Sequence, residues 1–177
     1  MGIVEGGQGG IVVGMKAPDF ELGTNAGETW KLSERIGSVV ALLFYPGNET
    51  LVCTRQLCSV RDHWNDYVET KAAVVGISPG TVDDHVAFAE HHKLPIPLLA
   101  DTDSSVTEMY CSHWLFPLFF MRGIVVIDAK GIVRTRRTML RAFRPTDRSV
   151  ITAIYRARGD ALQERYRDMA NRGKIGR

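Results

Sequence analysis

Residues 39–45 read Val-Val-Ala-Leu-Leu-Phe-Tyr, with no charged side chain in the run. An apolar stretch of that kind suits a strand buried on both faces, which commits the chain to a sheet covered on both sides. Pro46 and Gly47 punctuate its end. Past Cys53 the apolar residues recur at Leu57, Val60, Trp64, Tyr67 and Val68, a helical spacing. Strand, tight loop and helix together place Cys53 near the first turn of a helix. Unpaired amide N–H groups and the positive end of the helix dipole converge there and favour a thiolate.

The rest of the chain fits the same plan. The Gly-rich residues 1–15 carry little information and serve as a mobile lead-in, or as a first strand at Ile11-Val12-Val13. Residues 17–22 and then 23–28 read as an edge strand and a turn, Trp30-Lys31-Leu32 as its partner, and 33–36 as a helical turn. The Cys53 helix runs to about Val68. A second buried strand covers 72–77, and Thr81 with Asp84 three residues on starts a helix to about His92. A short strand follows near Leu98-Leu99, then a helix capped by Asp103 or Ser104. Residues 122–134 form a hairpin, and Ile151, Ile154, Tyr155, Leu162, Tyr166 and Met169 space a C-terminal helical region broken at Gly159. Strands that alternate with helices and close on a hairpin make an α/β fold, a mixed sheet with helices on both faces. In segments, 1–14 is the flexible lead-in, 15–158 the domain and 159–177 a basic helical tail.

Composition excludes several classes. At 177 residues the chain can bury a proper core as one domain. No stretch approaches the ~18 apolar residues of a membrane span. The start has no basic region before an apolar core and Gly6 stands where a myristoylation signal wants Ser or Thr, so the cytoplasm is expected. Three cysteines do not make a disulfide scaffold; in a reducing compartment they suggest redox chemistry or metal binding. The net charge of +2 hides 13 lysines and arginines against four acids from Arg134 onward. That basic third is read first as a solvated helix face, with an anionic partner or the acidic face of a second subunit as alternatives. The basic residues lack interleaved aromatics, so no nucleic-acid binding is expected.

The cysteine spacing is informative. Cys53 and Cys58 lie about 140° apart around a helix with about 7.5 Å of rise between them. Their Cα separation then exceeds the roughly 7 Å limit for a disulfide, so a bond between them needs the first turns to unwind. Cys53 falls on the core-facing stripe with Leu57, Val60, Trp64, Tyr67 and Val68, and Cys58 on the polar flank beside Thr54, Asp62 and Asn65. The helix end contributes only ~0.3–1 kcal/mol to a thiolate, so a reactive Cys53 needs a fixed cation. Arg122 is the leading candidate, with Arg144, Arg148, Arg55 and Arg61 behind it. Thr50 is placed to hydrogen-bond the thiolate or a substrate oxygen.

Pro46-x-x-x-Thr50-x-x-Cys53 resembles the active-site motif of the peroxiredoxins. The added Cys58, followed by Val60-Arg61-Asp62, resembles the bacterioferritin comigratory protein, or peroxiredoxin Q, branch. Further likeness lies in Ala17-Pro18-Asp19-Phe20, Gly76-Ile77-Ser78, Leu98-Leu99-Ala100-Asp101 and the strand from Arg122 to Asp128. The resemblance implies a thioredoxin-like fold and reduction of hydrogen peroxide or organic hydroperoxides. It implies Cys53 as the attacking and Cys58 as the resolving cysteine, and Thr50 and Arg122 as holders of the peroxide oxygens. Pro46 would shield the thiolate, a thioredoxin-type dithiol would be the reductant, and no metal or organic cofactor is called for. A monomer or homodimer is expected.

This chain departs from the pattern at Leu51 and Val52, where the family often has Pro two residues before the cysteine, at Asn48, and at Gln56, where Glu is commonest. The segment 110–121 is unusually apolar, and its Cys111 is read first as a bystander thiol and second as an alternative resolver. Rival readings are weaker. Cys53, Cys58 and His63 do not converge as metal ligands on a helix, and His85, His91, His92 and His113 are expected to be solvated. A thiol–disulfide oxidoreductase would want Cys-x-x-Cys. A peroxide-sensing partner protein would dock through the basic tail.

Overall fold

The computed structural model describes residues 11–48, 51–111, 121–140 and 144–172. Seven strands, β1 (Glu21–Thr24), β2 (Thr29–Lys31), β3 (Val40–Phe44), β4 (Ala73–Ser78), β5 (Leu98–Ala100), β6 (Met121–Ile127) and β7 (Val133–Leu140), form one mixed sheet in the order β2-β1-β5-β4-β3-β6-β7. Helices α1 (Leu51–Asp62) and α2 (Trp64–Glu69) connect β3 to β4, and α3 (Val82–His92) connects β4 to β5. Both connections join parallel neighbours, as crossover helices require. Helix α4 (Ser105–Cys111) precedes β6, and α5 (Asp147–Arg172) ends the described chain.

Period-two alternation divides the core into two layers. From β3, Ala41 and Leu43 face one side with Ile124 and Val126 of β6, and there they meet Cys53, Leu57 and Val60 of α1 and Val150, Ala153, Ile154 and Ala157 of α5. Val40, Leu42 and Phe44 face the other side with Val125 and Ile127, against Val106, Tyr110 and Cys111 of α4 and the incoming Phe20, Trp30 and Leu32. All five residues of β3 are buried, which is why its sequence carries no polar alternation.

The structure amends four expectations. Residues 11–13 are not a strand; Ile11 is buried in the α4-side layer, and the Gly14 N–H donates to the Val133 carbonyl at 2.8 Å, so this part of the lead-in is docked. The first strand starts at Glu21 rather than Ala17, and Thr24 closes its turn by accepting from the Ala26 and Glu28 N–H groups at 3.2 Å each. The helix after Cys53 breaks at His63, whose φ of −110° and ψ of 21° leave the helical basin. That break re-phases the last turns: Tyr67 stays buried while Val68 turns out and is 55% exposed. Helix α5 runs through Gly159 without interruption, in open space where a Cβ would meet nothing within 4 Å. The capping box at Thr81 and Asp84 forms as expected.

Candidate functional site

Cys53 is the third residue of α1, so its own N–H is among the donors that a helix start leaves unpaired. It is fully buried, against the sheet face that β6 shares. On β6, alternation puts Arg122 on the same side as Ile124 and Val126, the side of α1. The Arg122 guanidinium donates from Nη2 to Cys53 Sγ at 2.9 Å and from Nη1 to Gln56 Oε1. Cys53 and Gln56 are three apart and therefore neighbours on one helix face, and a single planar fork spans both. Arg122 is 1% exposed and Gln56 3%. A buried cation is thus held against the sulfur at hydrogen-bond distance, in a setting where water screens little.

The other candidate residues divide cleanly. Pro46 follows β3 and is half-buried at the mouth of the loop that leads to α1. Thr50 lies outside the described residues, as do residues 112–120 of the apolar segment. Cys58 is half-buried on the same unbroken helix as Cys53, and both thiols are free. Helical geometry separates them as the spacing predicts. Of the other arginines, Arg61 pairs with Asp62 and donates to the His92 carbonyl, and Arg55, Arg144 and Arg148 are exposed.

Cys111 ends α4 in the opposite layer, so the sheet stands between it and Cys53. Burial pushes its thiol up to about 12. Gly123 makes room for it: a Cβ there would sit 2.4 Å from Cys111 Sγ. That placement fits a bystander and not a second resolver. Among the described residues no group of three or more His, Cys, Asp or Glu is placed to hold a metal.

Two features around Cys53 escaped sequence reasoning. Gln56 appeared there only as a departure, yet it orients Arg122. His85, expected to be solvated, is instead fully buried. Its Nε2 lies 3.0 Å from the Leu99 carbonyl, which only accepts, so Nε2 carries the proton and Nδ1 accepts from Asn48 Nδ2 at 3.0 Å. Tyr45 donates in turn to Asn48 Oδ1 at 3.1 Å. This chain ties the loop after β3, the one that delivers Cys53, to α3 and β5. Burial lowers the His85 pKa and holds the imidazole neutral. Gly80 allows the approach, since a Cβ there would sit 2.8 Å from His85 Cε1. The available signal was phase: His85, Phe88 and Ala89 share one helix stripe.

Comparison with known proteins shows the family and the fold. The chain is 40% identical over 100 residues to Peroxiredoxin Bcp of Bacillus subtilis, a match covering 56% of this chain and 64% of that protein. It is 37% identical over 127 residues to the chloroplastic Peroxiredoxin Q of Triticum aestivum, covering 71% of this chain and 58% of the relative. The chain thus spans somewhat under two thirds of the length of these relatives. The crystal structure of peroxidoxin BcpB from Mycobacterium tuberculosis superposes with a TM-score of 0.70 at 27% identity, over 82% of this chain and 97% of that one. A bacterioferritin comigratory protein from Xanthomonas campestris shares the fold, with a TM-score of 0.67 at 17% identity over 78% and 92% of the two chains. The AhpC/TSA family pattern matches residues 13–136, a span that holds Cys53, Cys58 and Arg122 together with every strand from β1 to β6, and by that match the chain belongs to the AhpC/TSA family.

Proposed function

We propose that the protein is a thiol peroxidase. The observation that carries the reading is the Arg122 fork on Cys53 Sγ and Gln56 Oε1. The Cys53 thiolate attacks one peroxide oxygen, the O–O bond breaks, and the departing oxygen leaves as water or an alcohol after taking a proton. Arg122 stabilises the thiolate and the charge that develops on the leaving oxygen. Thr50 shares the second task, and Pro46 shields the sulfur from bulk water. Cys53 is left as a sulfenic acid. After α1 unwinds, the Cys58 thiolate attacks the sulfenic sulfur. A Cys53–Cys58 bond forms, the S–O bond breaks, and hydroxide leaves as water. A thioredoxin-type dithiol then reduces the disulfide by exchange.

Hydrogen peroxide and organic hydroperoxides are the proposed substrates. The Xanthomonas relative is described as reducing alkyl peroxides, in keeping with the second class. No helix among the described residues is long and apolar enough to cross a membrane. Cytoplasmic residence and a monomeric or homodimeric state remain part of the proposal.

The test is intact mass and disulfide mapping after one equivalent of hydrogen peroxide, on wild type and on Cys53→Ser, Cys58→Ser and Cys111→Ser. The expected result is a Cys53–Cys58 bond in wild type and in Cys111→Ser, with a trapped sulfenic acid in Cys58→Ser. A Cys53 that stays a free thiol throughout refutes the peroxidase. A Cys53–Cys111 bond reassigns the resolving cysteine.

A further inference from the structure

If Cys58 resolves Cys53, the helix between them must open, and the position at which opening stops decides how fast the step runs. The residue after Cys58 is fastened. Ser59 Oγ donates to Asp147 Oδ2 at 2.5 Å, and Tyr67 OH of α2 donates to Asp147 Oδ1 at 2.8 Å. His63 Nδ1 lies 3.5 Å from the same Oδ2 and 2.9 Å from the Ser59 carbonyl. The Asp147 side chain is 14% exposed, and the residue opens α5, whose Val150, Ala153, Ile154 and Ala157 are anchored in the layer beneath α1. Arg61 adds a further pin, from Nη1 to the His92 carbonyl at 2.7 Å. The polar pins on α1 past Cys58 therefore begin at Ser59, and they lead to parts of the fold that do not have to move.

We propose that Asp147 is a positioning residue of the resolving step: by holding Ser59 it clamps α1 immediately beyond Cys58 and sets how readily residues 51–58 unwind. The proposal rests on the reading of Cys58 as the resolving cysteine. The wound helix keeps Arg122 on Cys53 and is the state that meets peroxide. The unwound helix is the state in which the two sulfurs meet. Unwinding through Cys58 pulls directly on Ser59, so the Ser59–Asp147 bond favours the wound state. The Tyr67–Asp147 bond sits on α2, beyond the break at His63, so unwinding of residues 51–58 does not pull on it and it has no such bias.

The experiment uses the full chain, mixed rapidly with hydrogen peroxide, quenched with a thiol-blocking reagent and read by intact mass. It compares wild type with Ser59→Ala, Asp147→Asn, Ser59→Thr and Tyr67→Phe. Losing a hydrogen bond to a charged group should raise the rate of Cys53–Cys58 disulfide formation about tenfold in Ser59→Ala. Asp147→Asn should follow in the same direction, while sulfenic acid formation stays within about twofold of wild type because the wound state remains the main one. Overoxidation of Cys53 to sulfinic acid under excess peroxide should fall in step, since faster closure leaves less sulfenic acid to react. Ser59→Thr, which keeps the hydroxyl, should retain the wild-type rate. Tyr67→Phe should lower stability and leave disulfide formation alone. A wild-type disulfide rate in Ser59→Ala overturns the proposal. So does an equal acceleration in Tyr67→Phe, which would mean that general destabilisation is at work. Failure of wild type to form any Cys53–Cys58 bond removes the proposal together with the assignment of Cys58, and that result is distinct from the other two.

Discussion

Replacing Arg122 by methionine separates what the guanidinium does for the fold from what it does for sulfur. The side chain is buried, and its fork donates to Cys53 Sγ at 2.9 Å and to Gln56 Oε1. Methionine keeps an apolar stem of similar reach and removes both. A hydrogen bond to a charged group is worth ~1.5–3 kcal/mol. At about 1.4 kcal/mol per decade, oxidation of Cys53 should slow by roughly 10- to 150-fold. On the other side of the fork, Gln56 Oε1 loses its donor inside the core, at a cost of about 1–3 kcal/mol. Adding Gln56→Leu to Arg122→Met removes that stranded oxygen. The double variant should regain about 1–3 kcal/mol of stability over Arg122→Met alone and remain as slow. Stopped-flow kinetics of Cys53 oxidation and urea denaturation of the same samples supply the two readings. If the double variant recovers rate along with stability, Arg122 acts through the fold alone, and the electrostatic account of this site is wrong.

Gly123→Ala should cost about 1–3 kcal/mol by overpacking, since its Cβ would sit 2.4 Å from Cys111 Sγ. Thermal denaturation should show Cys111→Ala restoring most of that loss in the double variant. Burial lowers the His85 pKa below the ordinary 6.5, so the unfolded chain takes up the proton before the folded one does. The His85 contribution to stability is therefore complete above pH 6.5 and is lost as the pH falls through the folded value. The difference in urea midpoint between wild type and His85→Asn should stay level above that pH and shrink below it; a difference that grows in acid would contradict the neutral assignment. Thr81→Ala removes the cap whose hydroxyl accepts from the Asp84 N–H at 3.1 Å, which should destabilise the protein by about 1 kcal/mol in the same denaturation assay.

What could be read from the sequence follows the range of the interaction concerned. Strands β3 and β4 were visible because burial on both faces writes an apolar run into consecutive residues. The α3 start was visible because Thr81 and Asp84 complete their capping box within four residues. Cys53 was visible because the change from strand to helix is local, and Arg122 because its position matched a family pattern. The reach of Arg122 to Gln56 spans 66 positions, and nothing near Gln56 announces it. The fate of His85 turns on Asn48, 37 residues earlier, and on a carbonyl of β5, 14 residues later. The break at His63 carries neither glycine nor proline to mark it. There the ring lies 2.9 Å from the Ser59 carbonyl, an interaction that depends on how the side chain folds back.

The sheet that separates the two core layers also sorts the sulfur of this chain, with the two thiols of α1 on one side and Cys111 on the other. All three cysteines are free thiols, but Cys111 is sealed behind β3 and β6, away from the helix that bears the others. If Cys53 and Cys58 are consumed as a pair, as proposed above, one reduced sulfur per chain is left over. That remainder acts as an internal gauge. On that proposal, as long as the sheet stays closed, the buried Cys111 should still be present when the protein is denatured and its thiols are counted. Loss of Cys111 from that count would record that the fold had opened, independently of the state of the two α1 thiols.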